Sequence, residues 1–398
     1  MRLVLVNHLH PDTGLVGSVR LWRFSQELAL RGHQVILICS SSSVGDQISH
    51  LLKRLSSHDW SAPFLISVGD NPLLLDRASG SYFGVRAFGR LHTAWDLLVR
   101  GGAFWRWARD ARPFIQAIRT QFKPQLCYAT FGNLDALNIA RSLANDCGIP
   151  WAMDIKDPAD AFLPNEIRPW LMRRYRSATA VTLNAEFQRR HNIGWCGPDA
   201  TVIYSGVESR DLLSAAIDCN RLMLVGSIYD DAALMRLMDA YRQFVRVSGG
   251  KARMVYFGNE AARFLVAARR ADVVNHVTCA GMVERFEMLR QCSSSAAVCY
   301  VGYAGTFHHK LLELAGLGRP LIACPTETDE GRSLLARYNY PFFAGPDEDG
   351  LFNAMVRAGQ TKSADTRQLV EDFGWPAATM QLENVFEKSI KSWQGVFK

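Results

Sequence analysis

Three stretches of this chain combine residue types that can do chemistry. The first runs His10–Pro11–Asp12–Thr13–Gly14–Leu15–Val16–Gly17 and leads into a helix expected to open at Ser18. Glycines let backbone approach a ligand closely, and a helix start offers unpaired N–H groups and a positive dipole end. Gly14 and Gly17 are three apart, so this is not the G-x-G-x-x-G fingerprint, which counts against a nicotinamide enzyme. By itself the loop reads equally well as a tight turn. The second stretch is Gly302 to Glu313, with Gly305, Thr306 and Phe307 leading from a strand into a helix. Thr306 suits an N-cap, and amides at that helix start suit a diphosphate. Lys310 and Glu313 are three apart on one helix face. A lysine there can supply charge to a phosphate, and a carboxylate can accept the protons of ribose hydroxyls. The same two residues also read as a plain surface ion pair. In the third stretch, Ala152 to Pro158, Asp157 stands just past a strand end. Its carboxylate can orient a hydroxyl or stabilise positive charge, or simply close an Asx-turn or a cap.

Other chemistries find no support. His8 and His10 flank the first strand end, and His308 and His309 are adjacent, but neighbouring helical histidines point apart and no carboxylate sits at ligand spacing. No metal site is therefore expected. Neither G-x-S-x-G nor a P-loop occurs. None of the nine cysteines forms C-x-x-C, and most lie in apolar runs such as Val298–Cys299–Tyr300, so buried free thiols are expected.

The elements that must carry these stretches follow an α/β rhythm. Leu3–Val6 and Val35–Ile38 read as buried strands joined by an amphipathic helix, Ser18 to Arg31, stopped by Gly32. Strands follow at Gln125–Tyr128, Pro150–Ile155, Ala180–Leu183 and Thr201–Tyr204, with a helix from Leu134 to Asp146. A second series opens at Arg221–Gly226. It continues as helix Ala232–Val247, strand Ala252–Phe257, strand Val274–Ala280, helix Glu284–Cys292, strand Ala296–Val301, helix Phe307–Gly316 and strand Pro320–Ala323. Two such series predict two doubly wound domains joined near residues 205–220. The 398-residue length agrees with two domains, and 48% hydrophobic with 21% charged residues excludes a disordered or fibrous chain.

The formal charge of +7 is compatible with nucleic acid, anionic membrane or a phosphate-bearing ligand. No nucleic-acid recognition motif accompanies it. The opening residues are too short an apolar run for a signal peptide, and no run is long enough to span a membrane. A cytoplasmic protein is expected, with the inner membrane face as one location. Residues 45–120 fit the rhythm poorly. Between 86 and 112, six arginines and only two aspartates interleave with Trp95, Phe104, Trp105 and Trp107. Such a helical insert either lies on an anionic membrane or packs its aromatics on the sheet while its arginines stay solvated.

Taken in order, these segments resemble glycosyltransferase family 4, enzymes of the GT-B fold. The opening through Arg31–Gly32–His33 is similar to that family's first strand–loop–helix unit. "GIPWAMDIKDPAD", "VIYSGVESRDL", "RLMLVGSIYDDAALMRLMDAY", "VTCAGMV" and "HHKLLELAGLGRPLIACP" resemble successive family segments, and "FGWPAATMQLENVF" resembles its returning final helix. The resemblance implies two Rossmann-like domains facing a cleft: 1–207 on the acceptor side, with a basic-aromatic insert at about 85–120, and 208–375 binding the nucleotide sugar. Residues 376–398 would then pack back on the first domain. It further implies metal-independent, cofactor-free, retaining transfer from a UDP- or GDP-sugar to a glycan or lipid-linked acceptor in bacterial envelope polysaccharide synthesis. The insert 86–112 would supply any peripheral membrane contact. By the same resemblance, Glu313 meets the donor ribose and Lys310 lies beside the donor. Gly281, Met282 and Val283 meet the base, and Gly14, Gly17, Ser18, Gly226 and Ser227 approach the phosphates. Gly305, Thr306 and Phe307 complete the donor set, and Asp157 serves the acceptor.

This chain departs from the pattern in three places. Gly305 stands eight residues before Glu313, where the family's first glutamate would be; Gly226 is followed by Ser227–Ile228–Tyr229 rather than a basic residue; and Ala129–Thr130–Phe131 replaces a common histidine. Lys310 or Arg332 is left to balance the leaving diphosphate. These departures keep two other readings open: a non-catalytic GT-B subunit partnering another transferase, and a sugar-nucleotide 2-epimerase.

Overall fold

The computed structural model describes residues 1–13, 16–41, 45–70, 95–157, 163, 167–192, 199–208, 216–303, 305–345 and 347–396. Gly14, and the insert's arginines at 86 and 90, lie outside the described residues. The chain divides into two compact units, Met1–Tyr204 with Trp375–Lys398, and Ser205–Gly374.

The first unit is a seven-stranded sheet in the order β3-β2-β1-β4-β5-β6-β7. Its strands are β1 (Arg2–Val6), β2 (Gln34–Ser41), β3 (Phe64–Asp70), β4 (Leu126–Phe131), β5 (Trp151–Ile155), β6 (Ala180–Leu183) and β7 (Thr201–Val202), and every pairing is parallel. Parallel strands covered by helices on both faces read as unbroken apolar runs, which is why Leu3 to Val6 are all buried. Helix α1 (Val16–Leu30) links β1 to β2. Helix α2 (Ile48–Ser56) and β3 occupy the stretch that broke the sequence rhythm. Polar Ser67 and Gly69 interrupt the β3 run, so its period was obscured. Helix α3 (Leu134–Cys147) starts where Asn133 accepts the Ala136 N–H at 3.1 Å and ends at Gly148, φ +65°.

Over its described part the insert packs some of its aromatics on the sheet. Short helical segments between Asp96 and Phe122 bury Trp107, Phe114, Ile115, Ile118 and Phe122 in the core that lines one face of the sheet. Its basic side faces out: Arg100, Arg106 and Arg109 surround the Trp105 ring at 4.8, 5.5 and 5.4 Å, and Trp95, Leu98 and Val99 are exposed as well.

A buried ion pair ties α1 to the sheet centre. Arg20 reaches Asp154 on β5 with two bonds of 2.9 Å, and both side chains are sealed from solvent. Thr130 and Thr182, on the two flanking strands, donate to the same carboxylate at 3.0 and 2.8 Å. Burial pushes the Asp154 pKa up, but the Arg20 charge and these hydrogen bonds outweigh it and hold the carboxyl below its ordinary 3.8.

The second unit is a six-stranded parallel sheet in the order β10-β9-β8-β11-β12-β13. Its strands are β8 (Asp218–Val225), β9 (Arg253–Phe257), β10 (Val277–Gly281), β11 (Ser295–Val301), β12 (Leu321–Cys324) and β13 (Phe342–Ala344). Helix α4 (Asp231–Val247) is capped by Asp230, whose side chain accepts from Ala232 and Ala233. Helices α5 (Arg285–Ser293), α6 (Leu311–Ala315) and α7 (Asp329–Ala336) follow. The last helix, α8 (Trp375–Val396), belongs to the first unit: Trp375 packs edge-on against Phe24, Phe386 against Tyr128, and Glu383 binds Arg31 and His33. Among the described residues no helix is long and apolar enough to cross a membrane.

Asp154→Asn leaves Arg20 buried without its partner charge, which costs about 3–5 kcal/mol. Urea unfolding of the first unit at neutral pH measures this. Because the folded pKa is depressed, the wild-type advantage is complete above 3.8 and falls away as the pH drops below it.

Candidate functional site

In a parallel sheet every strand delivers its following turn to the same edge, which is where open α/β sheets bind ligands. In the second unit that edge is lined with backbone. Gly226 after β8, Gly281 at the end of β10 and Gly305 after β11 all have positive φ, and a Cβ at any of them would meet open space. A side chain is thus excluded at Gly226 by conformation alone. The Tyr256 hydroxyl donates to the Gly226 carbonyl at 3.0 Å, and Glu260 accepts the Ile228 N–H at 3.3 Å, so this turn is held from beneath. Ser227 and Val283 are half-buried, while Tyr229, Met282, Phe286 and Tyr303 are exposed along the same edge.

The Gly302–Glu313 stretch differs from its sequence expectation. The helix begins at Leu311, not near Thr306, and Lys310 is its N-cap residue. Thr306 instead closes a turn, its hydroxyl and N–H both bonded to the Tyr303 carbonyl. The reason lies below the loop. Glu327, 2% exposed, accepts from the Tyr300 hydroxyl at 2.9 Å and the His308 N–H at 3.4 Å, and from Thr328 through its other oxygen. These bonds compete with helical ones. Burial raises the Glu327 pKa, the hydrogen bonds opposing it. Burial likewise pushes the His308 pKa down to about 3, helped by His309 and Lys310, so that imidazole is neutral and stacks on Tyr300 at 4.1 Å. Phe307 is buried in this loop.

Glu313 does not pair with Lys310. Its Oε1 accepts Arg285 Nε at 2.7 Å, and Arg285 Nη2 stands 2.6 Å from the same oxygen as an ion pair without hydrogen-bond geometry. Arg285 Nη1 donates to Glu208 at 2.9 Å. Side-chain exposures of 15%, 14% and 8% for Arg285, Glu313 and Glu208 make this a mostly dry cluster. Burial works against the Arg285 charge, and the two carboxylates more than offset it, raising its pKa. Arg332, the other candidate cation, is half-exposed and paired with Asp329 on α7.

The equivalent edge of the first unit gathers Gly17, Ser18, His8, Gly132, Lys156 and Asp157. A Cβ on Gly17 would stand 2.7 Å from Lys156 Nζ, and one on Gly132 would meet the His8 ring, also at 2.7 Å. Lys156 pairs with Asp157 at 2.8 Å. Ser18 is buried and accepts from Thr13 at 3.2 Å. Burial, then the Lys156 charge, pushes the His8 pKa down to about 3; its ring stacks on Phe104 at 5.6 Å. The four histidines singled out by sequence lie two in each unit, and no group of three or more potential metal ligands occurs among the described residues. The described cysteines are free, and Cys39, Cys127, Cys292, Cys299 and Cys324 are buried.

Sequence reasoning passed over Arg20 and Asp154, Lys156, Arg285 with Glu208, and Glu327. Asp154 and Lys156 sat in a stretch singled out for chemistry; Arg285 and Glu327 carried no local signal.

No family model matches the sequence, and no curated protein does. Solved structures match it over nearly its whole length. Sucrose-phosphate synthase from Thermosynechococcus elongatus superposes with a TM-score of 0.67 at 12% identity, covering 98% of this chain and 99% of that one. HepE from Anabaena, solved in complex with UDP-glucose, gives 0.63 at 13% identity, covering 98% and 100%. UDP-GlcNAc 2-epimerase from Methanocaldococcus jannaschii gives 0.58 at 11% identity, also covering 98% and 100%. The fold is therefore GT-B, an α/β fold with a parallel sheet in each of two units. Within that class both transferases and epimerases stand among the similar structures.

Glu327→Ala removes the anchor of the 302–310 loop and leaves the buried Tyr300 hydroxyl without its acceptor. A loss of about 1–3 kcal/mol is expected, with faster amide hydrogen exchange at His308 than at β12.

Proposed function

We propose that this protein is a retaining glycosyltransferase that moves a sugar from a nucleotide-diphosphate donor to a hydroxyl of a glycan or lipid-linked acceptor in envelope polysaccharide synthesis. The observation that carries the reading is Glu313. It is a mostly buried carboxylate beside a glycine-lined sheet edge, one oxygen held by Arg285 and the other without a hydrogen bond among the described residues. A ribose presents two hydroxyls that such an oxygen can accept. HepE, of the same fold, was solved with UDP-glucose, which supports a nucleotide-sugar donor. The exposed Met282 and the Val283 backbone suit the flat face of a base.

In this reading the bond between the anomeric carbon and the leaving phosphate oxygen breaks while the acceptor oxygen bonds the same face. The acceptor proton passes to the departing diphosphate. Charge grows on that diphosphate, and stabilising it where it develops lowers the barrier most. Lys310, half-buried at the start of α6, and the glycine-turn amides at Gly226–Ser227 serve this need. Gly305 brings no side chain where a sugar-contacting carboxylate would stand, so sugar selection falls to neighbouring groups. Asp157, polarised by Lys156, is assigned to the acceptor.

The 2-epimerase reading draws on the M. jannaschii neighbour. It requires an acid–base pair at the sugar, whereas His308 and Glu327 are spent beneath the loop. Deuterium incorporation at sugar C2 in heavy water would favour it over transfer. The non-catalytic-subunit reading is met by the donor test below.

Wild-type protein is expected to melt higher with UDP or GDP, or the matching nucleotide sugar, by the equivalent of about 2.7 kcal/mol at 100 times the dissociation constant. Glu313→Ala should remain folded and lose the shift. Absence of any shift with UDP, GDP, ADP, TDP, CMP and their sugars overturns the donor reading and moves weight to a non-catalytic subunit.

The arginines around Trp105, with exposed Trp95, Leu98 and Val99, fit an anionic bilayer surface that presents a lipid-linked acceptor. Flotation with phosphatidylglycerol vesicles should be strong at low salt. It should weaken severalfold at high salt and in an Arg100→Glu, Arg106→Glu, Arg109→Glu triple variant. Failure to float at low salt removes the membrane contact.

A further inference from the structure

We infer that Arg285 and Glu208 are positioning residues that set the protein's preference for a ribose bearing its 2′ and 3′ hydroxyls. The inference rests on the donor reading of Glu313 and adds what makes that carboxylate selective.

Glu313 lies on α6, Arg285 on the first turn of α5, and Glu208 near the start of the second unit. One planar guanidinium spans both carboxylates, at 2.7 Å to Glu313 through Nε and 2.9 Å to Glu208 through Nη1. The fork geometry of arginine fixes the angle between two such bonds, which a lysine point charge does not. Glu208 therefore holds the far end of the guanidinium, and the guanidinium in turn orients Glu313. Among the described residues only Oε1 of Glu313 is hydrogen-bonded, which leaves Oε2 to accept from an additional donor. One guanidinium held between two carboxylates cannot swing without breaking one of the two bonds.

This differs from a merely structural ion pair in what it controls. A structural pair would alter stability and leave the ratio of affinities for ribo- and dideoxynucleotides unchanged. A positioning pair alters the ratio itself. A site built to hydrogen-bond hydroxyls rejects the analogue lacking them because its own polar groups go unpaired.

The test is titration calorimetry of the full chain with UDP or GDP, whichever raises the melting temperature more, against its 2′,3′-dideoxy analogue. Wild type should prefer the ribonucleotide by at least about tenfold, the worth of one hydrogen bond to a charged group. In Arg285→Met the preference should collapse to within about twofold, chiefly through weaker ribonucleotide binding, and Arg285→Lys should recover part of it. Glu208→Gln leaves the Arg285–Glu313 contact in place and should give an intermediate preference. It is also the informative variant if Arg285→Met fails to fold by circular dichroism. A wild type that prefers the ribonucleotide, with variants that keep the full preference, overturns this inference alone. A wild type that binds both nucleotides equally, or neither, overturns the ribose role of Glu313 and this inference with it.

Discussion

Every strand pairing in both sheets is parallel, and the rest of the architecture depends on that constraint. A parallel strand cannot turn straight back. Each must be followed by a crossover, and all the strand-to-helix turns emerge at one edge. Residues as far apart in sequence as Gly226, Gly281 and Gly305 thereby become neighbours of one backbone rim. The sheet itself is spent on burial. Tyr128, Tyr256 and Tyr300 are sealed in its layers, and what remains for ligands is the edge.

Burial makes any charge inside the layers costly, and in each unit an arginine answers one such carboxylate. The outcomes differ. Asp154 has both oxygens bound by Arg20 and is further bonded by Thr130 and Thr182 on neighbouring strands. It has nothing left to offer a ligand, so the cluster locks α1 to β4, β5 and β6. Arg285 instead saturates one oxygen of Glu313 and shares itself with Glu208. The first arrangement is complete and structural. The second leaves the other Glu313 oxygen without a hydrogen bond among the described residues.

The same logic explains which sequence expectations survived. The apolar runs at Leu3–Val6, Val35–Ile38 and Ala296–Val301 became central strands because length and β-branching sufficed to identify them. β3 went unread since Ser67 and Gly69 interrupt its pattern, and it lies at the sheet edge where fewer apolar residues are demanded. The helix expected from Phe307 onward shortened to Leu311–Ala315 because Glu327, from the following strand-to-helix turn, captures the His308 N–H and the Tyr300 hydroxyl. The insert's aromatics could lie on a membrane or on the sheet by sequence alone; the sheet took Trp107 and Phe114, while Trp105 stayed among its arginines.

Local pattern by itself determined the alternation of strands and helices, the glycine turns and the candidacy of Glu313, because periodicity, caps and left-handed positions are written within a few residues of where they act. Partnership was decided only by the tertiary structure. Lys310 and Glu313 share a helical turn and do not pair, since Arg285, 28 residues away, offers a forked and better-buried charge, and Glu208, 77 residues from Arg285, completes it. Charge pairing depends on distance in space, and in a crossover-linked sheet that distance bears little relation to separation along the chain.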